Sequence, residues 1–261
     1  MEEVRQEPLM RRSFIQRPIV QISIVAILVA AIFGSVYVWK TNDQTPLDPE
    51  EWIASRIKSA GGLVFYNAEH INHIALSNTP MPSDVLSEIV KLPTIEELFL
   101  SKTKFTDGQM KQLSGATSLK RLFLGAAEVT DAGVEHLKDL TKLKIIELNG
   151  THVTDAGLEH LKGLSNLVWI NLNHTNVTDS GLEHLIGLRN LQRLYLRHTN
   201  ITDAGLRYLK ELKNLQLLDL SETAVTEEGR ASLQIELPKC QIDRNPAFPP
   251  NPPLPIPNQT I

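Results

Sequence analysis

The sequence predicts an α/β solenoid, with a curved parallel sheet inside and short helices outside, preceded by one transmembrane helix. Three observations support this prediction. The middle of the chain repeats with a period of 24 residues, each repeat has a strand-like half followed by a helix-like half, and a long uncharged run lies near the N-terminus. A repeat with one strand and one helix buries both apolar faces only by stacking on copies of itself.

The uncharged run is "PIVQISIVAILVAAIFGSVYVW", residues 18–39, which is long enough as a helix to cross the ~30 Å hydrocarbon core of a bilayer. A cleaved secretory signal is the alternative, but the run exceeds the usual apolar region and lacks a small-residue cleavage site. Near the run, most of the positive charge precedes it, at Arg5, Arg11, Arg12 and Arg17, and only Lys40 follows it closely. The positive-inside rule therefore places residues 1–17 in the cytoplasm and everything after the helix outside it, in the periplasm if the cell is bacterial.

Small residues recur at four-residue spacing within this predicted helix, at Ala26, Ala30 and Gly34. Such a stripe lets two helices approach closely, which is one route to a homodimer. Small residues are also common in membrane helices that do not associate, so both interpretations stay open.

A linker, residues 40–47, leads to a predicted N-terminal cap at residues 48–70. Its first part, "DPEEWIASRIKSA", has acidic residues and a proline where a helix begins. The following "GGLVFYNAEHINHIAL" is expected to form a strand pair over the first repeat.

Seven repeats cover residues 71–236, the last one shortened. Four of them read "LKRLFLGAAEVTDAGVEHLKDLTK", "LKIIELNGTHVTDAGLEHLKGLSN", "LVWINLNHTNVTDSGLEHLIGLRN" and "LQRLYLRHTNITDAGLRYLKELKN". In the strand half, Ile146 and Leu148 alternate with Glu147. In the helical half, Leu158, Leu161 and Leu164 keep the spacing of one helix face.

The C-terminal segment divides into a cap strand, residues 237–245, and a proline-rich tail, residues 246–261. Within the cap, Cys240 takes the place of a leucine and is predicted to be a buried apolar side chain. The tail is predicted to be disordered and extended in the manner of polyproline, because proline donates no backbone hydrogen bond.

These units resemble the leucine-rich-repeat family, whose pattern is L-x-x-L-x-L-x-x-N/C-x-L. The consensus is similar to the cysteine-containing subclass of F-box proteins, with threonine in place of cysteine, and to the 24-residue "VTDAGL" repeats of planctomycete-type bacterial proteins. The resemblance implies a protein-binding solenoid, although fold alone does not establish function.

The segment "VTDAGL", which recurs with small changes in successive repeats and which we call the refrain, contains a threonine that can cap the following helix. Its aspartate interacts favourably with the positive N-terminal end of the helix dipole. The four pairs are Thr130–Asp131, Thr154–Asp155, Thr178–Asp179 and Thr202–Asp203. The glycines that follow, Gly133, Gly157, Gly181 and Gly205, are predicted to permit close approach of the neighbouring coil.

Three Glu-His pairs follow the refrain, at Glu135-His136, Glu159-His160 and Glu183-His184. They would lie on the convex face, either as a metal-binding row, as in a metal-dependent hydrolase, or as a solvated helix surface. Because no second histidine stands at H-E-x-x-H spacing, the pattern favours the solvated surface, without metal, cofactor or catalytic activity.

A second repeated position carries Thr79, Thr103, Thr151, Thr175, Thr199 and Thr223, which we expect to bond loop backbone groups, and Ala127 interrupts this series. The repeated threonines also create N-x-T sequences at Asn149, Asn173, Asn176, Asn200 and Asn258. A bacterial host is expected to leave these asparagines unglycosylated.

The remaining strand positions face the concave surface and are not required for packing of the core. We number the places of each repeat from its first leucine or isoleucine, so that Leu167 is place one and Trp169 is place three. Aromatic and basic residues occupy places three, five and eight of several repeats, and Arg197 is adjacent to them. The set is Phe99, Arg121, Phe123, Trp169, His174, Arg193, Tyr195, Arg197 and His198. Aromatic residues and arginine are enriched at protein interfaces, so we predict that this set binds a protein or peptide. We expect these side chains to be exposed, and the alternative to binding is that they are solvent-facing positions that are aromatic only by chance.

The overall charge of −4 and a pI near 6.1 argue against a nucleic-acid partner. The single cysteine excludes an intrachain disulfide and a multi-cysteine zinc site. The sequence thus predicts a membrane-anchored protein-interaction module exposed outside the cytoplasm. A structural envelope component that associates through its anchor is the remaining alternative.

Overall fold

The computed structural model describes residues 48–76 and 78–243. The predicted tail, membrane span with its small-residue stripe, linker and proline-rich end lie outside these ranges. None of the helices within them is long and apolar enough to cross a membrane.

A sheet of nine described strands runs through this part of the chain in sequence order. The strands are β1 (Leu63–Asn67), β2 (His70–Ala75), β3 (Glu97–Phe99), β4 (Arg121–Phe123), β5 (Ile145–Glu147), β6 (Trp169–Asn171), β7 (Arg193–Tyr195), β8 (Leu217–Asp219) and β9 (Gln241–Asp243). Strands β1 and β2 are antiparallel, and all later neighbours are parallel. Each parallel register pairs a residue with the one in the same place of the next repeat, as Ile146 pairs with Ile170.

Short helices connect the strands: α1 (Pro49–Ser59), α2 (Ser83–Ile89), α3 (Asp107–Leu113), α4 (Asp131–Glu135), α5 (Asp155–Leu161), α6 (Asp179–Leu182), α7 (Leu206–Leu209) and α8 (Glu227–Glu236). Two 3₁₀ segments, Glu183–Leu185 and Asp203–Gly205, adjoin α6 and α7. The predicted solenoid of parallel strands and short helices is confirmed, with several helical halves shorter and tighter than a regular α-helix.

The core lies between the sheet and the helices and consists of leucine and isoleucine ladders. Ile146, Leu148, Leu158, Leu161 and Leu164 are fully buried, as the two periodicities predict. Complete burial of such a side chain contributes roughly 1.5–3 kcal/mol relative to exposure. The solenoid is therefore held mainly by the residues that repeat.

The first and last described elements both contribute buried residues to the core, Ile53 and Ile57 from α1 and Ile242 from β9. At the first, Asp48 caps α1 by accepting from the backbone N–H of Glu50, and Glu50 accepts from the backbone N–H of Ile71 at 2.7 Å. At the other end, Cys240 is buried, as predicted, and burial raises the pKa of its thiol to about 12. A thiol with so high a pKa is a poor nucleophile, because the thiolate is the reactive form.

The refrain connects neighbouring coils. The Asp155 carboxylate accepts from the backbone N–H of Thr178 at 2.8 Å and from its hydroxyl at 2.6 Å. The same pair of bonds joins each of five successive aspartates to a threonine in the next repeat: Asp107 to Thr130, Asp131 to Thr154, Asp155 to Thr178, Asp179 to Thr202 and Asp203 to Thr226. We call this series the Asp–Thr ladder.

The ladder explains the glycines of the refrain. A Cβ added at Gly157 would lie 2.5 Å from Oδ1 of Asp131 and 2.8 Å from a methyl group of Val153. The predicted close approach is confirmed, and the group that approaches is the carboxylate of the preceding coil. Thr130, Thr178 and Thr202 also cap their helices as predicted, whereas the side chain of Thr154 makes no cap bond.

The second threonine series bonds the backbone of its own coil. Thr103, Thr151 and Thr175 each donate to the carbonyl of the leucine three residues earlier, at 2.6 Å. In the repeat where Ala127 replaces threonine, the Ala127 N–H still donates to the Leu124 carbonyl at 3.0 Å. The turn therefore persists without the hydroxyl.

Candidate functional site

The candidate site is the strand surface that faces away from the helices, which we call the concave face. Places three and five of each repeat lie on it, because the core residues occupy the alternate strand positions. Six of the nine predicted residues lie on the strands, namely Phe99, Arg121, Phe123, Trp169, Arg193 and Tyr195. His174, Arg197 and His198 lie in the turns that follow β6 and β7.

Four aromatic side chains form a line of ring contacts across this face. Phe99 and Phe123 stack with centroids 4.4 Å apart and planes 6° apart. Trp169 lies 6.3 Å from Phe123 and 5.4 Å from Tyr195, tilted by about 50° in both pairs. Two aromatic pairs are thus connected through one intermediate contact.

The expectation that these rings are exposed is wrong. Phe99, Phe123, Trp169 and Tyr195 are only 3–5% exposed. Each ring has an aromatic neighbour in an adjacent or nearby coil, which removes surface that a single repeat would leave open. The exposed part of the predicted set is the basic part, because Arg193, His174 and His198 are exposed.

A buried polar cluster lies at the N-terminal end of the same face. Glu97 contacts both His73, at 2.7 Å from Nε2, and the guanidinium of Arg121. Burial and the charge of Arg121 lower the pKa of His73, although the charge of Glu96 opposes this shift by favouring the imidazolium. The neutral form fits the geometry, because Nδ1 of His73 is buried without a hydrogen-bond partner and a proton there would be unsatisfied.

Glu147 interrupts the aromatic line at the fifth place of its repeat. Its side chain is buried and accepts from Ser101 at 2.8 Å and from Asn149 at 2.7 Å. These bonds satisfy a carboxylate that would otherwise be costly to bury. The middle of the face is therefore polar, with aromatic groups on either side.

The eighth place of every repeat adopts the left-handed backbone conformation. Its φ lies between 54° and 64° at Asn78, Lys102, Ala126, Gly150, His174, His198 and Glu222. Glycine adopts this conformation without steric cost, but only one of the seven residues is glycine. We call this series the turn column.

The turn column brings two histidines together at the edge of the concave face. We call the polar residues there, His174, Arg193, Arg197, His198 and Glu222, the rim. The rings of His174 and His198 have centroids 4.9 Å apart. Nδ1 of His198 lies 3.4 Å from the Glu222 carboxylate, which also accepts from Nε of Arg197 at 3.2 Å. The hydrogen bond from Arg197 is the main reason that the pKa of Glu222 is lowered.

Sequence reasoning missed Glu222 and Glu97 as members of this surface. Both occupy the places that defined the predicted set, Glu222 the eighth and Glu97 the third. The signal was therefore present, but selecting only aromatic and basic residues passed over their acidic partners. The concave rim is charged with both signs rather than simply basic.

The Glu-His pairs lie among polar residues of the helical side. Glu135 and Glu159 are exposed and pair with the lysine three residues later, Glu159 at 3.1 Å from Lys162. This hydrogen bond with Lys162 is the main cause of the lowered pKa of Glu159. Among residues 48–76 and 78–243, no group of three His, Cys, Asp or Glu side chains is placed to hold a metal ion.

These repeats, ladders and turns define a solenoid of the leucine-rich-repeat class. A leucine-rich-repeat family model matches residues 141–201, which span the fourth and fifth repeats and their flanks. No curated protein sequence matches the chain.

Solved leucine-rich-repeat structures share the fold. Internalin C2 of Listeria monocytogenes is 21% identical, with a TM-score of 0.56, and the match covers 75% of this chain and 93% of that one. A second L. monocytogenes internalin is 20% identical, with a TM-score of 0.51 and 65% and 52% coverage. A leucine-rich-repeat protein of Leptospira interrogans is 23% identical, with a TM-score of 0.50 and 66% and 48% coverage. At these identities the likeness concerns the fold.

Proposed function

We propose that the protein is a membrane-anchored interaction module that binds a protein or peptide on its concave face, outside the cytoplasm. The leucine-rich-repeat fold supports this proposal, since stacked repeats present an extended concave surface for binding. The core of each repeat is formed by the side chains that point into the space between the sheet and the helices. The concave places are thus available for recognition.

The observation that carries the proposal is the turn column with its histidine pair. A left-handed conformation is unfavourable for a residue with a Cβ, and glycine would relieve it at each place. His174 and His198 nevertheless occupy adjacent places there, exposed and in contact with each other. Strained backbone that carries polar side chains at a surface is a feature of binding sites.

The composition of the rim indicates the kind of partner. Exposed Arg193, His174 and His198 offer hydrogen-bond donors, and the Arg197–Glu222 pair offers both signs of charge. Phe123, Trp169 and Tyr195 contact one another beneath this rim and are buried, so they support it and leave little ring surface for a partner. The partner would be a protein surface or peptide with acidic groups that accept from the exposed donors of the rim.

The location is proposed from the sequence alone. Residues 18–39 would anchor the protein in the cytoplasmic membrane, with residues 1–17 inside and the repeats outside.

Paired substitutions of exposed histidine and arginine test the binding surface. A partner captured from an envelope extract would be purified, and its dissociation constant measured against the full-length protein in detergent. Arg193→Ala with His198→Ala is expected to weaken binding at least about tenfold, because both side chains lie on the rim and neither supports the core.

His152→Ala is the matched control, because this exposed histidine follows the turn and lies off the concave face. It should leave the dissociation constant unchanged. Unchanged binding by the double variant, with an unchanged circular dichroism spectrum, would move the site away from the rim.

A further inference from the structure

The outermost described strand of the sheet is unusual for an edge. Strand β1 pairs only with β2 in the described sheet and is five residues long, whereas β3 to β9 have three residues each. Its sequence, "LVFYN", has no charge and no proline. Natural edge strands are usually protected by charge, proline, bulges or short length, because an open edge pairs with other chains.

Exposed apolar side chains are concentrated on the same strand. Among the described residues, the large exposed hydrophobic side chains are Leu63, Tyr66 and Ile235, and the first two lie on β1 with 57% and 48% exposed. Leu63 lies opposite Ala75 on the concave side, and Tyr66 lies opposite Ile71 on the core side. Both faces of the strand therefore carry apolar surface next to the open edge.

The opposite edge of the sheet differs in each respect. Strand β9 has three residues, includes Asp243, and is followed in the sequence by Pro246. Proline cannot donate to a strand ladder, and a charge resists pairing with an identical edge. The described sheet thus has a charge and a nearby proline at its C-terminal edge, whereas at its N-terminal edge the protecting feature is the register shift between Phe65 and Tyr66 in the β1–β2 pairing.

We infer that β1 is a homodimer interface, in which the strand pairs antiparallel with β1 of a second copy and continues the sheet. An uncharged strand pairs with itself without like-charge repulsion. A two-fold axis at Phe65 would set Leu63 of one copy opposite Asn67 of the other. We favour a second copy as the partner of this edge, because pairing of two β1 strands about a two-fold axis covers the open edge of both copies.

The chain outside the described ranges supports a second copy. Forty-seven residues precede Asp48 and include the proposed anchor, so this step rests on the proposed function. Two copies anchored in one membrane would be confined together, which raises the local concentration of one β1 edge for the other. A five-residue strand pair is small for a stable interface, so it gains most from such tethering.

Charges on the edge test the inference in the full-length protein. Wild-type protein in detergent micelles is expected to sediment as a dimer, whereas Leu63→Lys with Tyr66→Lys should weaken dimerisation at least about tenfold through like-charge repulsion. Ile235→Lys, on the exposed side of α8, is the control and should remain dimeric. Wild-type protein that stays monomeric, or a charged variant that dimerises as well as wild type, would overturn the inference.

A disulfide experiment tests the register. Leu63→Cys with Asn67→Cys should form a covalent dimer on mild oxidation, because directly opposite Cα atoms in an antiparallel pair lie within disulfide range. The two cysteines are too far apart along one strand to bond within a copy, and Cys240 is buried. Ile235→Cys is the control, and equal cross-linking from it would contradict the pairing. Partner binding, measured separately, reports on the concave rim and not on this edge.

Discussion

Single residues of the refrain have roles that only the neighbouring coil explains. Gly157 is required because Asp131 of the preceding coil occupies the space where a side chain would begin. Asp131 itself sits at the start of α4 and bonds Thr154 in the next coil. A residue that looks like a helix breaker is thus part of the contact between repeats.

Gly157→Ala should lower the free energy of unfolding by about 1–3 kcal/mol, as overpacking in a tight site usually does. The new Cβ would force apart the Asp131 carboxylate and the Val153 methyl group. Denaturant unfolding followed by circular dichroism measures the change.

Gly163→Ala is the matched control, since a Cβ there would meet no atom within 4 Å. Its stability should stay within about 0.5 kcal/mol of wild type, as is usual for surface changes. Equal destabilisation by the two variants would show that the close approach of Asp131 is not the cause.

Between elements, the Asp–Thr ladder acts at the N-terminal ends of the helices. Each aspartate satisfies a backbone N–H and a hydroxyl of the following coil, so it fixes the spacing of neighbouring helical halves. The leucine ladders supply most of the burial, but they are apolar and directionless. Directional bonds of this kind favour one register of stacking over others.

Asp155→Ala should destabilise the protein by about 1–3 kcal/mol, because it leaves the Thr178 N–H and hydroxyl without their acceptor. In hydrogen-exchange measurements, the amides around Thr178, one repeat beyond the substitution, should exchange faster than in the wild-type protein. Asp139→Ala, at an exposed turn position, is the control and should change neither stability nor exchange. A loss confined to the repeat of residue 155 itself would contradict an inter-coil role.

The elements were largely predictable from the sequence because repetition makes the signal strong. The strand alternation at Ile146 and Leu148 and the helical spacing of Leu158 and Leu161 both place the same core that the structure has. The Asp155–Thr178 bonds were not predictable from local pattern, since the partners are 23 residues apart and the aspartate already had a role at its own helix.

The concave face was only partly predictable for a related reason. Its places follow from the period, but the burial of Trp169 and Tyr195 depends on neighbours in other coils. The left-handed turn column could not be recognised from the sequence, because glycine, which normally indicates such a conformation, occurs in it only at Gly150. Glu222 needed the three-dimensional pairing with Arg197 to be recognised.

At the scale of the whole molecule, the described solenoid divides into surfaces with separate tasks. The ladders and core hold the coils together, the concave rim is proposed to bind a partner, and the β1 edge is proposed to join two copies. The convex side carries Glu–Lys pairs such as Glu159–Lys162, which are exposed and contribute little to stability.

Site-specific photo-cross-linking in cells tests the central claim most directly. A photoreactive amino acid would replace Arg193 or His174 on the concave rim, and Glu159 or Glu183 at exposed positions of the convex side. The account predicts a discrete adduct with one protein from both concave positions and none from the convex positions. Adducts with the same protein from the convex positions, and none from the rim, would contradict it.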